Sequence, residues 1–225
     1  MFLHSLGTPA RIAFTVTVPP EETTVRTTDE LCLDARDVTP SKAFGLLKAS
    51  VVPRPIAWTS TVSSDGVNNL APFSFFTVVS SQPPMVLLSL EFLDGGRLKD
   101  SAANIEATGE FVVNIAPSTY ASAVDLTSQS FDAHVDEFAL AGLTPVPSLH
   151  VRPCRVAEAP ISLECRLHTT FQPGSDRLVI GEVVAFHVAR RVLGDDGRID
   201  VALVDPLGRI AADFACIHPI PTPAR

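Results

Sequence analysis

Residues 51–90 read VVPRPIAWTSTVSSDGVNNLAPFSFFTVVSSQPPMVLLSL, and their pattern decides the fold. Ile56–Val62 (IAWTSTV) alternates and is rich in β-branched residues, as a half-buried strand does. Ser63-Ser64-Asp65-Gly66 is a turn, with Gly66 free to take a positive φ. Phe73–Ser80 reads as a second strand and Met85–Leu90 (MVLLSL) as a third, set off by Pro83-Pro84. Strands that succeed one another across such short turns pair antiparallel.

Outward from this core the elements stay short. Asp37–Lys48 reads as a helix, with Thr39 or Ser41 as N-cap, Pro40 in the first turn and an apolar face of Ala43, Phe44, Leu46 and Leu47. Asp94-Gly95-Gly96 is a tight turn. Lys99–Thr108 has helical spacing through Ala102, Ala103, Ile105 and Ala107, and Gly109 suits the position just past its end. Phe111–Ile115 is a buried strand. Ser118–Thr127 and Asp136–Ala141 are short helices, the second stopped by Gly142. Strand patterns return at Ile161–Phe171, at Arg177–Val188 and near Ile199–Leu203. No βαβ alternation opens on a Gly-rich turn, which disfavours a dinucleotide-binding doubly wound sheet. The expected fold class is mainly β, an antiparallel barrel with a few short helices. Residues 1–36 are polar and Thr-rich and read as an N-terminal extension or arm with one strand at Ile12–Val18; residues 37–225 form the domain, ending in the proline-rich tail IHPIPTPAR.

Composition narrows the function classes. Of 225 residues, 46% are hydrophobic, enough for a substantial core, and 25 acidic against 17 basic residues give a net charge of -8. A sequence-independent nucleic-acid binder needs the opposite sign, so no nucleic-acid partner is expected. No apolar run reaches the ~20 residues that cross a bilayer, so no membrane partner is expected either. Cys32, Cys154, Cys165 and Cys216 form no CxxC pair and read as thiols of a reducing, cytoplasmic compartment. The six histidines show no metal-ligand spacing, so no metal is expected, and neither a GxSxG elbow nor a P-loop is present. Glu164 and Asp213, each flanked by apolar residues, are candidates for buried carboxylates, with a structural role as the plainer reading.

The densest polar constellation lies between Arg54 and Asn104. Thr59, Ser60 and Thr61 are consecutive on a strand, and Asn69-Leu70-Ala71-Pro72 leads to Ser74 among three phenylalanines. Arg97, Lys99, Asp100 and Ser101 open a helix. A helix start offers free N–H groups and the positive end of the dipole, and the basic residues add full charges, so this cluster suits a phosphate; a plain capped helix is the alternative. Asn69–Phe76 suits a planar heterocycle or, alternatively, an edge strand bulged at Pro72.

The ordered pieces RPIAW, a Ser/Thr-rich strand, DGVNNLAPFSFF, SSQPP, RLKDSAANI and EFVVNI, followed by DEFALAGLTP, PISLECRL and GEVVAFHV, resemble the flavin reductase-like family of FMN-binding split-barrel proteins across roughly residues 37–210. The resemblance implies an antiparallel split β-barrel, a homodimer and one FMN per subunit. It implies cofactor binding by Thr59, Ser60, Thr61, Asn69, Leu70, Ala71, Pro72, Ser74, Arg97, Lys99, Asp100 and Ser101, with the phosphate against the Ser/Thr strand and the helix start. It also implies NADH or NADPH as electron donor, and a nicotinamide nucleotide and a monooxygenase or other acceptor as partners. His134 and His187 are candidates to touch the nicotinamide. An electron carrier, or a non-catalytic flavin- or haem-binding module, remains the alternative function on the same barrel. One departure stands out: where the family has R-x-G-G-x-x-Y, this chain has alanines at Ala211 and Ala212 and Phe214.

Overall fold

The computed structural model describes residues 30–220, and the chain divides between Thr39 and Pro40 into two units. The expected strand at Ile12–Val18 lies outside the described residues. In the first unit Arg36 pairs with Asp34 in a local turn.

The second unit runs α1 (Pro40–Ser50), β1 (Arg54–Pro55), β2 (Ala57–Val62), β3 (Asn68–Phe73), β4 (Phe76–Ser81), β5 (Pro84–Glu91), α2 (Asp100–Thr108), β6 (Glu110–Ile115), α3 (Ala121–Leu126), α4 (Glu137–Leu140), β7 (Pro145–Val146), β8 (Arg155–Val156), β9 (Ile161–Phe171), β10 (Asp176–Val188), α5 (Val201–Val204), β11 (Leu207–Ile210) and β12 (Asp213–Cys216). Seven strands form one antiparallel sheet in the order β3-β2-β6-β9-β10-β5-β4. The two edge strands of that sheet, β3 and β4, are neighbours in sequence, joined only by Ser74 and Phe75. A link that short spans roughly 10 Å, so the sheet must curl until its edges meet. The result is a barrel with a seam.

The seam stays open for a reason legible in β3. Leu70 N donates outward to the Glu137 carboxylate at 3.0 Å rather than to a strand. Two residues on, where the next outward donor belongs, stands Pro72, which has none. With these donors missing, β4 cannot ladder onto β3, and the barrel is split.

Alternation sorts the side chains into two cores. Ala57, Phe73, Val86, Leu88, Phe111, Val113, Val179 and Val183 fill the barrel interior, with Ala102 and Ile105 of α2 packed among them. Ile56, Trp58, Leu70, Val124, Phe138, Val156 and Leu207 form a second cluster on the outer face, under α3 and α4. Trp58 is fully buried there, its Nε1 donating to Thr127 Oγ1 at 2.9 Å. Gly181 of β10 faces the Phe111 ring so closely that a Cβ would lie 2.3 Å from Cζ.

Several boundaries move. Phe73–Ser80 is not one strand: Phe73 ends β3, Phe76 begins β4, and the seam falls between. Pro72 pairs with Trp58 without a bulge, so β3 is an edge strand in regular register. The first helix runs Pro40–Ser50, and its expected apolar face is not buried: Leu46 is 44% and Leu47 59% exposed. The expected strand near Ile199–Leu203 is the helix α5, because Asp200 accepts from Ala202 N and caps a helical turn. Asp213 is exposed, not buried, since it flanks the tight β11–β12 turn and pairs with Ile210.

Candidate flavin cleft at the barrel seam

Two cavities meet at the seam and share Pro72, Phe73 and Lys99. The first, of about 90 Å³, is lined by Asn69, Ala71, Pro72 and Phe73 of β3, by Lys99, Asp100 and Ser101 at the start of α2, by Glu137, and by the loop 127–131. Its floor is one hydrogen-bond network. Asn104 Nδ2 donates to Thr61 Oγ1 at 3.1 Å, and Thr61 Oγ1 donates to Asn69 Oδ1 at 3.1 Å. Ser101 Oγ donates to the same Asn69 Oδ1 at 2.7 Å, while Asn69 Nδ2 donates to Glu137 Oε1 at 2.9 Å. The Asn69 amide thus has one arrangement that satisfies every neighbour.

Glu137 anchors this network from outside the barrel. Burial pushes its carboxyl pKa up, and nearby Asp100 adds to that; hydrogen bonds from Leu70 N and Asn69 pull the other way. Asp136 caps α4 through the N–H groups of Phe138 and Ala139 and thereby aims Glu137 at β3. At α2 no side chain caps the helix start; Lys99 occupies the cap position in extended conformation, and Ser101 is buried in the first turn. Donors and a positive dipole end are therefore presented to the cavity.

The sequence-predicted residues divide by strand alternation. Thr61, Asn69, Ala71, Pro72, Lys99, Asp100 and Ser101 come together at the first cavity or its floor, and Ser74 lines the second. Thr59 points toward the interior, bonded to Ala57 O. Ser60 and Leu70 face the opposite side: Ser60 donates to Cys154 O and accepts from Asn114, and Leu70 sits in the outer core. The side chain of Arg97 is exposed and lines neither cavity. His134 is exposed, and neither it nor His187 reaches the cleft. Glu137, the loop 127–131 and Lys48 were not named as site residues by the sequence reading, and Arg209 entered it only as the first residue of the segment that departs from R-x-G-G-x-x-Y. Glu137 was in view there only as part of the DEFALAGLTP stretch.

His187 has another partner. Its Nε2 lies 2.6 Å from Oε1 of the fully buried Glu164, whose two oxygens also accept from Leu149 N and His150 N at 2.7 Å each. Burial pushes the Glu164 carboxyl pKa up, but the three hydrogen bonds outweigh it and hold the value below the ordinary carboxylate range. A depressed folded-state pKa contributes stability at neutral pH that is lost as the pH falls through it. Acid unfolding below about pH 4 is therefore expected to be less steep in Glu164→Gln than in the parent chain. Denaturant titrations between pH 7 and pH 3 check this; parallel losses for the two chains would assign the acid sensitivity elsewhere.

Comparison with known proteins places this geometry. The family model described as a flavin reductase like domain matches residues 49–205. An uncharacterized protein of Aquifex aeolicus is 36% identical over 171 residues, covering 76% of this chain and 87% of that one. Nitrilotriacetate monooxygenase component B from Bacillus cereus is 32% identical with a TM-score of 0.82, over 86% of this chain and 98% of that one. The Pseudomonas fluorescens 2-nitrobenzoate 2-nitroreductase is 27% identical with a TM-score of 0.74, over 87% and 98%. The matched span begins just before the seam-forming strands, takes in α2 and Glu137, and ends just short of β11, so every side chain of the Asn69 network falls inside it: the chain belongs to the flavin reductase-like family.

Proposed function

We propose that the protein is a flavoprotein oxidoreductase that binds FMN in the seam cleft and takes electrons from NADH or NADPH. The observation that carries this reading is the uncapped start of α2, with Lys99 beside it, opening onto a cavity floored by the Asn69 network. Family membership supports a flavin as the occupant.

The residues fit the group. The first-turn N–H groups of α2 and the Lys99 ammonium suit a phosphate dianion. Asp100 opposes it, and the Lys99 ammonium offsets part of that repulsion. Pro72 presents a donor-free edge against which a flat ring can lie, and Ser74 offers a hydroxyl beyond it. Bound there, the flavin would supply hydride acceptance and onward electron transfer. The chain itself supplies position: Glu137 and Asn69 hold β3, and thereby Ala71 to Phe73, at fixed distance from α2. No side-chain acid or base is required of the cleft.

Two partners go with this reading. A homodimer is supported by β4, which among the described residues pairs on one side only and whose Val78 is 71% exposed. The neighbouring aromatic side chains do not serve that interface, because Phe73 lies in the barrel core and Phe76 packs against it. A monooxygenase as electron acceptor is supported by the likeness to a monooxygenase component B.

Lys99→Ala is expected to weaken FMN about tenfold or more, since a charge-assisted hydrogen bond contributes roughly 1.5–3 kcal/mol, and to leave riboflavin nearly unaffected. Ser101→Ala is expected to cost less, because backbone donors remain and its hydroxyl is engaged with Asn69. Equilibrium titration with both flavins reads the result; an unchanged FMN-to-riboflavin ratio in Lys99→Ala would remove the phosphate from this helix start.

A further inference from the structure

The second cavity, of about 290 Å³, lies on the α1 side of the seam. Lys48, Arg54, Lys99 and Arg209 line it, against the single carboxylate of Glu91. This is a basic basin on a protein of net charge -8.

Its core is a like-charged pair. Arg54 of β1 and Arg209 of β11 stand directly opposite each other in antiparallel register. Like charges so placed destabilise a sheet. Among the described residues no ion pair engages either guanidinium, or Lys48 or Lys99. Arg54 is only 5% exposed, and its guanidinium meets neutral oxygens: Nη1 donates to Lys48 O and Val51 O, Nη2 to Ala211 O at 2.8 Å, and Nε to Ser74 Oγ at 3.4 Å. Burial, with repulsion from Arg209, pushes its pKa down.

The arrangement is held at some cost. Ala211, whose carbonyl fixes Arg54, has φ 48, a left-handed conformation that alanine disfavours. Arg209 stacks over Phe214 at 4.4 Å and Lys48 over Phe44 at 4.1 Å, so both cations rest on ring faces beside the basin. Phe44 meets Phe75 edge-on at 5.7 Å, and together with Phe73 they give the basin an aromatic wall. Uncompensated cations beside aromatic faces complement a flat ring bearing a negative group.

We propose that this basin is a second-substrate subsite that binds a small aromatic carboxylate, with the carboxylate between Arg209 and Lys48 and the ring against Phe44 and Phe75. The inference rests on the flavin reading only for its neighbour in the cleft, and it is tested without flavin turnover. Benzoate and the isosteric neutral benzamide are titrated calorimetrically into the full chain, as purified and again with FMN added. Benzoate is expected to bind about tenfold or more tighter than benzamide. Arg209→Gln and Lys48→Gln are each expected to bring that ratio toward unity, and Arg209→Lys to restore part of it. Equal affinities in the parent chain would overturn the proposal. So would an unchanged benzoate-to-benzamide ratio in both glutamine variants. If those variants instead weaken only NADH or NADPH, the basin serves the nucleotide and the proposal fails. A chain that takes up no FMN but keeps the benzoate preference would sink the flavin reading and leave the subsite standing.

Discussion

Glu137→Leu is expected to lower stability by about 4 kcal/mol, because it strips the acceptor from two buried donors at once, each worth roughly 1–3 kcal/mol when left unpaired. Leu70 N and Asn69 Nδ2 both end on this carboxylate, at 3.0 and 2.9 Å. Leucine is close in volume, so cavity formation adds little and the polar loss dominates. For a chain of this size the melting temperature should fall by roughly 8–16 °C. Glu137→Gln should cost about half as much, since its carbonyl can serve one donor while its NH2 faces the other. Both variants should bind FMN more weakly than their residual folding explains, because the freed Asn69 amide can turn away from Ser101 and Thr61. A melting temperature within about 2 °C of the parent for Glu137→Leu would show that β3 does not depend on this contact.

Gly181→Ala should be nearly as damaging, from overpacking. The added methyl would sit 2.3 Å from Phe111 Cζ, 2.6 Å from Cε1 and 3.3 Å from Cys165 Cβ. Phe111 is fully buried in the barrel core and has no free space to turn into. The expected loss is about 3 kcal/mol, at the upper end of ordinary overpacking. The compensating double change Gly181→Ala with Phe111→Leu should recover part of it, because the smaller side chain vacates the Cζ position. Chemical denaturation of the two single variants and the double variant measures the coupling. Additive losses would mean that the ring is not the obstacle.

How much was legible in the sequence depended on the range of the interaction that decides each element. The start of α2 and the left-handed Gly109 that ends it are local, and a nine-residue helix carries both signals in view. The strands β2 and β5 were legible from period and composition alone. The split of Phe73–Ser80 into two strands was not, because nothing in FSFFTVVS is a breaker; β3 and β4 lie at opposite edges of a sheet whose order is fixed by β6, β9 and β10, far along the chain. Near Ile199 the alternation of apolar and polar residues pointed to a strand, but the Asp200 side chain captured Ala202 N and a helical turn won. Within the candidate site, Thr61, Asn69, Lys99 and Ser101 were named in advance and converge. Ser60 was named with its neighbours because the resemblance assigns the whole Ser/Thr strand to the phosphate, and a pleated strand sends its side chain to the far face. Glu137 and Arg209 lie 68 residues after Asn69 and far beyond it, and only the folded chain sets them beside β3 and β1.

Pro72 has a consequence beyond the cleft it holds open. An unpaired strand edge is a template on which another chain can add its own strand, and ordered aggregation begins from such edges. On β3 that template is defaced: one donor is missing at Pro72 and another is covered by Glu137. Among the described residues the opposite edge has neither defence, for β4 carries Val78 and Val79 toward solvent at 71% and 45% exposure. Crowded refolding of this chain would therefore recruit neighbours along β4, while the mouth of the barrel stays clear of them.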